Sequence, residues 1–168
     1  EPRTATYIGL FLVALSTLMY EILLTRIFSV TMLYHFAFVA LSLAMFGMTA
    51  GALAVYLAPR VFTPERLRTQ LALAALAFPI AMILSFLTEL SIPFRVHPSI
   101  VAIYAIAFTY AVVAVPFVIS GVVVCLVLTG FPARVSRLYA ADLAGAALGC
   151  VLLIVVLDYS DGPTSVLW

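Results

Sequence analysis

The chain has 168 residues, of which 66% are hydrophobic and 9% are charged, and its mean hydropathy is +1.27. A soluble domain is about half apolar and about a quarter charged, so this composition excludes a water-soluble globular fold and makes the bilayer the solvent. The net charge of +1 is too small to indicate a nucleic-acid partner. The sequence therefore predicts an all-α protein, a polytopic bundle of transmembrane helices.

Five stretches are apolar over the roughly 20 residues that a membrane-crossing helix needs. They cover residues 7–28, 34–57, 71–90, 99–129 and 138–157. The fourth is too long for one straight span, and Pro116 predicts a single long kinked helix, with two shorter pieces as the alternative. The final DYSDGPTSVLW predicts a loop and the start of a sixth helix. We expect residues 1–168 to form one transmembrane domain, a fragment of a longer chain.

The distribution of arginine predicts the orientation of these spans. Six of the eight positive charges precede the first span or lie in the loops after the second and fourth spans: Arg3, Arg60, Arg66, Arg68, Arg134 and Arg137. Loops rich in arginine stay in the cytoplasm. The sequence therefore predicts a cytoplasmic N-terminus, and we expect an integral protein of a bacterial inner membrane.

Two charged residues lie near the end of the first span, in MYEILLTRIFSV. Glu21 is about 21 Å along a helix that begins near Tyr7, below the outer edge of the hydrocarbon. Arg26 lies near that edge, where its side chain can reach the headgroups. In one interpretation, Glu21 makes a hydrogen bond or an ion pair with another helix. In a second, it belongs to a substrate or proton site. A third interpretation is a carboxylate that reaches headgroup water.

Further polar side chains lie at the outer ends of the spans: His35, Glu89, Arg95 and His97. They could join Glu21 and Arg26 in one polar cluster, but the sequence favours ordinary interfacial side chains. Two histidines could in principle ligate a haem. Because no spacing rule supports such a site, no cofactor and no metal site is predicted.

The fifth span begins with LYAADLAGAALG. Asp142 lies near its cytoplasmic end, where it can favour the positive end of the helix dipole or bond an arginine, with a functional polar contact as the alternative. Gly145 and Gly149 form a GxxxG pair, which lets another helix backbone come close. Gly47 and Gly51 form a second pair in the second span. Both pairs predict close helix packing.

Three segments together resemble one family: MYEILLTRIFSV, VPFVISGVVVCLVL and SRLYAADLAGAALGCVLL. The chain resembles the membrane region of spermidine-synthase-like proteins, in which a helical membrane portion is fused to an aminopropyltransferase-type Rossmann domain. The residues that match the membrane pattern are Tyr20, Glu21, Arg26, Tyr139, Asp142, Gly145 and Gly149. The resemblance implies that an enzyme domain, which this chain lacks, would follow on the cytoplasmic side, and it carries over no catalytic residue.

The sequence contains no nucleotide-binding loop, catalytic triad or zinc motif, so no catalytic residue is predicted. Our first hypothesis is a membrane domain that anchors or serves a spermidine-synthase-like enzyme domain. The alternatives are an accessory subunit of a larger respiratory or photosynthetic complex, and a small-solute transporter that uses Glu21, Arg26 and Asp142. Expected partners are lipid, other membrane helices or subunits, and a fused or associated cytoplasmic enzyme domain.

Overall fold

A computed structural model of the chain describes residues 2–31, 37–91 and 100–159. Within these residues the chain forms five long α-helices: α1 (Thr4–Thr31), α2 (Ala37–Leu57), α3 (Leu67–Ser91), α4 (Ile100–Gly130) and α5 (Val135–Tyr159). Short 3₁₀ turns precede α3 and α5. The described part of the chain contains no strand, so the predicted all-α bundle is confirmed. The predicted start of a sixth helix lies outside the described residues.

All five helices are long and apolar enough to cross a bilayer, and the protein is an integral membrane helical domain. The helices extend past the apolar stretches, so that α1 starts at Thr4 and α3 at Leu67. Polar side chains at a helix end can be satisfied by water and headgroups, which allows the extra turns. The fourth stretch forms one continuous helix with Pro116 inside it, and not two shorter pieces.

The helices α4 and α1 form the centre of the bundle. Helix α4 packs mainly against α2 and α3, whereas α1 packs mainly against α5 and also contacts α2 and α4. A larger share of α4 and α1 is buried than of the three flanking helices. Neighbours along the chain run in opposite directions, so α1 and α5 are parallel to each other, as are α2 and α4.

The core consists of two hydrophobic clusters at different depths. One cluster is rich in aromatic side chains and contains residues of α1, α2, α3 and α4: Tyr20, Leu24, Phe28, Ala40, Ala44, Phe86, Val113 and Phe117. The other lies nearer the arginine-rich loops: Leu10, Val13, Phe78, Val123, Val127 and Leu138. Many other large apolar side chains point outward, among them Phe38, Leu76 and Ile103. Lipid tails are the environment that suits such a surface.

Candidate functional site

Gly145 and Gly149 lie where α5 packs on α1. A Cβ atom added at Gly149 would lie 2.6 Å from the carbonyl oxygen of Leu15, and one added at Gly145 would collide with the carbonyl oxygen of Phe11. Both obstacles are backbone atoms, which cannot turn aside as the end of a side chain can. The absence of a side chain at these two positions therefore allows the close approach of α5 to α1.

The contact of α2 with α4 has the same character. A Cβ atom at Gly47 would lie 2.6 Å from the Cβ of Phe117, and one at Gly51 would collide with the carbonyl oxygen of Val118. Helix α4 contributes its own glycine, since a Cβ atom at Gly121 would collide with the carbonyl oxygen of Met48. Gly121 is a packing residue that sequence reasoning missed, because it has no glycine partner four residues away.

The contacts of α5 with α1 separate the two predicted functional carboxylates, Glu21 and Asp142. Residue numbers rise together along this pair, and the contact of Gly145 with Phe11 places Asp142 beside the first turns of α1. Glu21 is then about 20 Å farther along the helix axis. Both carboxylates are half-buried and Arg26 is exposed. The structure therefore does not bring Glu21 and Asp142 together.

A hydrogen bond links α1 to α4 near the middle of the bundle. The Thr17 hydroxyl donates to the carbonyl oxygen of Val13 at 2.7 Å, and its oxygen lies 2.8 Å from Ser120 Oγ. A hydroxyl has one proton to donate, so the Ser120 hydroxyl donates to Thr17. Both side chains are buried, and neither was singled out from the sequence, because serine and threonine are common in membrane helices.

A second buried polar group joins α1, α3 and α4, and we call it the Glu89 cluster: Tyr20, Ser85, Glu89 and Tyr110. The Tyr20 hydroxyl lies 2.9 Å from Ser85 Oγ. One turn farther along α3, the Glu89 side chain is only 8% exposed. Its Oε2 atom and the Tyr110 hydroxyl are buried without a hydrogen-bond partner among the described residues. The side chains of Tyr20 and Tyr110 pack with Phe86 of α3 in the same core cluster.

This burial corrects the interpretation of Glu89 as an interfacial side chain. The predicted outer cluster also included His35, Arg95 and His97, which lie outside the described residues. A phenylalanine ring lies beside each tyrosine of the Glu89 cluster, with Phe117 at 5.7 Å from the Tyr20 ring and Phe28 at 6.2 Å from the Tyr110 ring. A carboxyl group in such surroundings is stable only when it is protonated or paired with a positive charge.

A groove of about 680 Å³ opens at the end of the bundle that carries the arginine-rich loops. It lies between the α2–α3 connection and the last turn of α4. Its lining combines polar, charged and aromatic side chains: Thr63, Glu65, Arg68, Thr129, Phe62 and Phe131. Arg68 lies in the first turn of α3, at the end of the bundle that the arginine distribution predicts to be cytoplasmic.

Comparisons with protein-family models, with curated proteins and with solved structures found no match. The fold and the side-chain chemistry therefore define the class of protein, an integral membrane helical bundle. Among the described residues, no group of three or more histidine, cysteine, aspartate or glutamate side chains comes together to hold a metal ion.

Proposed function

We propose that this chain is the membrane domain of a spermidine-synthase-like protein, and that it anchors or serves an enzyme domain on the cytoplasmic side. The domain has no catalytic site of its own in this proposal. Its role is to hold the enzyme at the membrane surface.

The observation that supports the proposal is the contact among the three segments that carry the resemblance. Tyr20 of the first segment packs against Phe117 of the second, with 5.7 Å between the ring centroids. Val127 of the second segment shares a buried cluster with Leu138 of the third. The resembling residues thus belong to one helix-packing unit, as expected if the resemblance reflects a shared membrane fold.

The groove beside Arg68 supports the proposal, because it is a surface at the end of the bundle that is predicted to be cytoplasmic. The same end of the bundle carries Arg60, Arg66, Arg134 and Arg137, and the positive-inside rule assigns these residues to the cytoplasm. A domain attached to the membrane helices from that side would lie over this mixed polar and aromatic lining.

The test is the mass and activity of the natural protein isolated from its membrane. We expect a mass well above the 18.1 kDa of this chain, or a co-purifying enzyme, together with aminopropyl transfer to an amine substrate. Deleting residues 1–168 should release the enzyme into the soluble fraction. An isolated protein of 18.1 kDa with no associated enzyme would contradict the proposal.

The structure does not favour the alternative of a transporter that uses Glu21, Arg26 and Asp142 along one route. Such a route needs these side chains to line a common space. The packing of α5 on α1 instead separates Glu21 from Asp142 by about 20 Å, and Arg26 is exposed on the surface of α1.

A further inference from the structure

We propose that the Glu89 cluster binds a small monovalent cation inside the membrane, either an alkali metal ion or a primary alkylammonium. This inference does not depend on the proposed anchoring function. It rests on the geometry of four side chains from three helices: Tyr20, Ser85, Glu89 and Tyr110.

The first step is the burial of a carboxyl group whose hydrogen-bonding capacity is incompletely used. Glu89 is only 8% exposed, and its Oε2 atom has no hydrogen-bond partner among the described residues. Removing a carboxylate from water without a partner is strongly unfavourable. A buried ionisable side chain in a membrane helix is therefore a candidate for a functional site.

The second step is a second buried oxygen that also lacks a partner. The Tyr110 hydroxyl comes from α4, and Glu89 comes from α3, yet no bond between them satisfies either group. The hydroxyls of Tyr20 and Ser85 are already hydrogen-bonded to each other at 2.9 Å, and this bond holds α1 against α3 beside Glu89. Two buried oxygens without a partner, one on each of two helices that pack together, suit a positively charged occupant that binds both.

The third step is the charge and character of that occupant. A single carboxylate balances a single positive charge, and carboxylate and hydroxyl oxygens are the ligands that hard cations prefer. The cluster also contains the aromatic rings of Tyr20 and Tyr110, and aromatic rings attract ammonium groups. Oxygen ligands and aromatic faces therefore both favour a cation, and they differ only in whether it is a metal ion or an ammonium.

The experiment measures the thermal unfolding of the full-length protein in lipid nanodiscs, followed by the helical circular dichroism signal. Sodium, potassium and methylammonium chloride are compared with N-methylglucamine chloride, a bulky cation, at equal ionic strength. We expect at least one small cation to raise the Tm of the wild-type protein by about 5 °C at saturation. The cation that does so identifies the source of the positive charge.

Three variants assign the effect to the cluster. Glu89→Gln keeps the shape of the side chain and should abolish the rise in Tm, and Tyr110→Phe should at least halve it. Asp158→Asn removes an exposed carboxylate at the end of α5 and should leave the rise unchanged. An equal rise in Glu89→Gln and wild type would overturn the proposal, as would the absence of a rise with all three small cations.

Discussion

The hydroxyl of Tyr20 lies 2.9 Å from Ser85 Oγ in a buried hydrogen bond between α1 and α3. These two helices share few other contacts. The bond therefore connects the centre of the bundle to a helix that otherwise depends on α4 for its position, and it fixes the side of the Glu89 cluster that faces α1.

Tyr20→Phe and Ser85→Ala should each destabilise the bundle. Each substitution removes one hydroxyl of the pair and leaves the other hydroxyl buried without a hydrogen-bond partner. A double-mutant cycle should give a coupling free energy of about 0.6 kcal/mol, as for other hydrogen bonds between membrane helices. The measurement is reversible unfolding in mixed micelles. Tyr104→Phe, at an exposed tyrosine of α4, is the matched control. Strict additivity of Tyr20→Phe and Ser85→Ala would show that the bond contributes nothing.

Gly145→Ala should destabilise the protein by about 1–3 kcal/mol, because the added methyl group collides with the backbone of α1. Gly9→Ala is the control, since a Cβ atom at Gly9 meets nothing within 4 Å, and it should be neutral or stabilising. The same unfolding assay distinguishes the two. Equal effects of the two substitutions would rule out close approach as the role of Gly145.

Gly145→Leu should reduce the yield of folded protein more than Asp142→Asn does. Leucine adds a whole side chain at a position that tolerates no Cβ atom, whereas asparagine keeps the shape of a half-buried side chain. Size-exclusion chromatography of the two variants measures the folded fraction. If the asparagine variant is the one that fails to assemble, the polar contact of Asp142 matters more than the packing.

Cysteines at positions 17 and 120 should form a disulfide under mild oxidation, because the hydroxyl oxygens of Thr17 and Ser120 lie 2.8 Å apart. The background needs Cys125 and Cys150 replaced by alanine, since both are free thiols. The control pairs position 120 with position 25, which is about 12 Å farther along α1. Cross-linking is read from peptide masses after proteolysis. A cross-link only in the control would mean that α1 and α4 meet in a different register.

Single cysteines should reveal the orientation of the bundle. A cysteine in place of the exposed Val30, at the far end of α1, should react with an impermeant maleimide on intact cells. A cysteine in place of the exposed Glu65, in the α2–α3 connection, should react only after the cells are permeabilised. The reverse pattern would place the arginine-rich loops outside and contradict the predicted topology.

The helical fold could be predicted from the sequence because the bilayer imposes a simple requirement. Each span needs a run of apolar residues, and such runs are visible without any knowledge of their neighbours. The ends were less predictable, since α1 continues to Thr4 and Thr31 and α3 begins at Leu67. Hydropathy reports where the hydrocarbon ends, whereas a helix continues until its last backbone groups find other partners.

The Glu89 cluster could not be predicted because hydropathy gives the depth of a residue and not the side of the helix on which it lies. Glu89 is near the end of α3, where a carboxylate that faces headgroups is ordinary. Tyr20 and Tyr110 come from two other helices and pack with Phe86 of α3 in the same core cluster. Only the packing of α1 and α4 against α3 brings these side chains together.

The contact between α1 and α5 has a consequence for biogenesis. The ribosome delivers α1 first and α5 last among these five helices, so the backbone surface at Phe11 and Leu15 stays uncovered while three intervening helices insert. The bundle can therefore close only after α5 has entered the membrane. An interrupted translation product that contains α1 to α4 should expose this surface to membrane chaperones and quality-control proteases, so the survival of the bundle should depend on the insertion of α5.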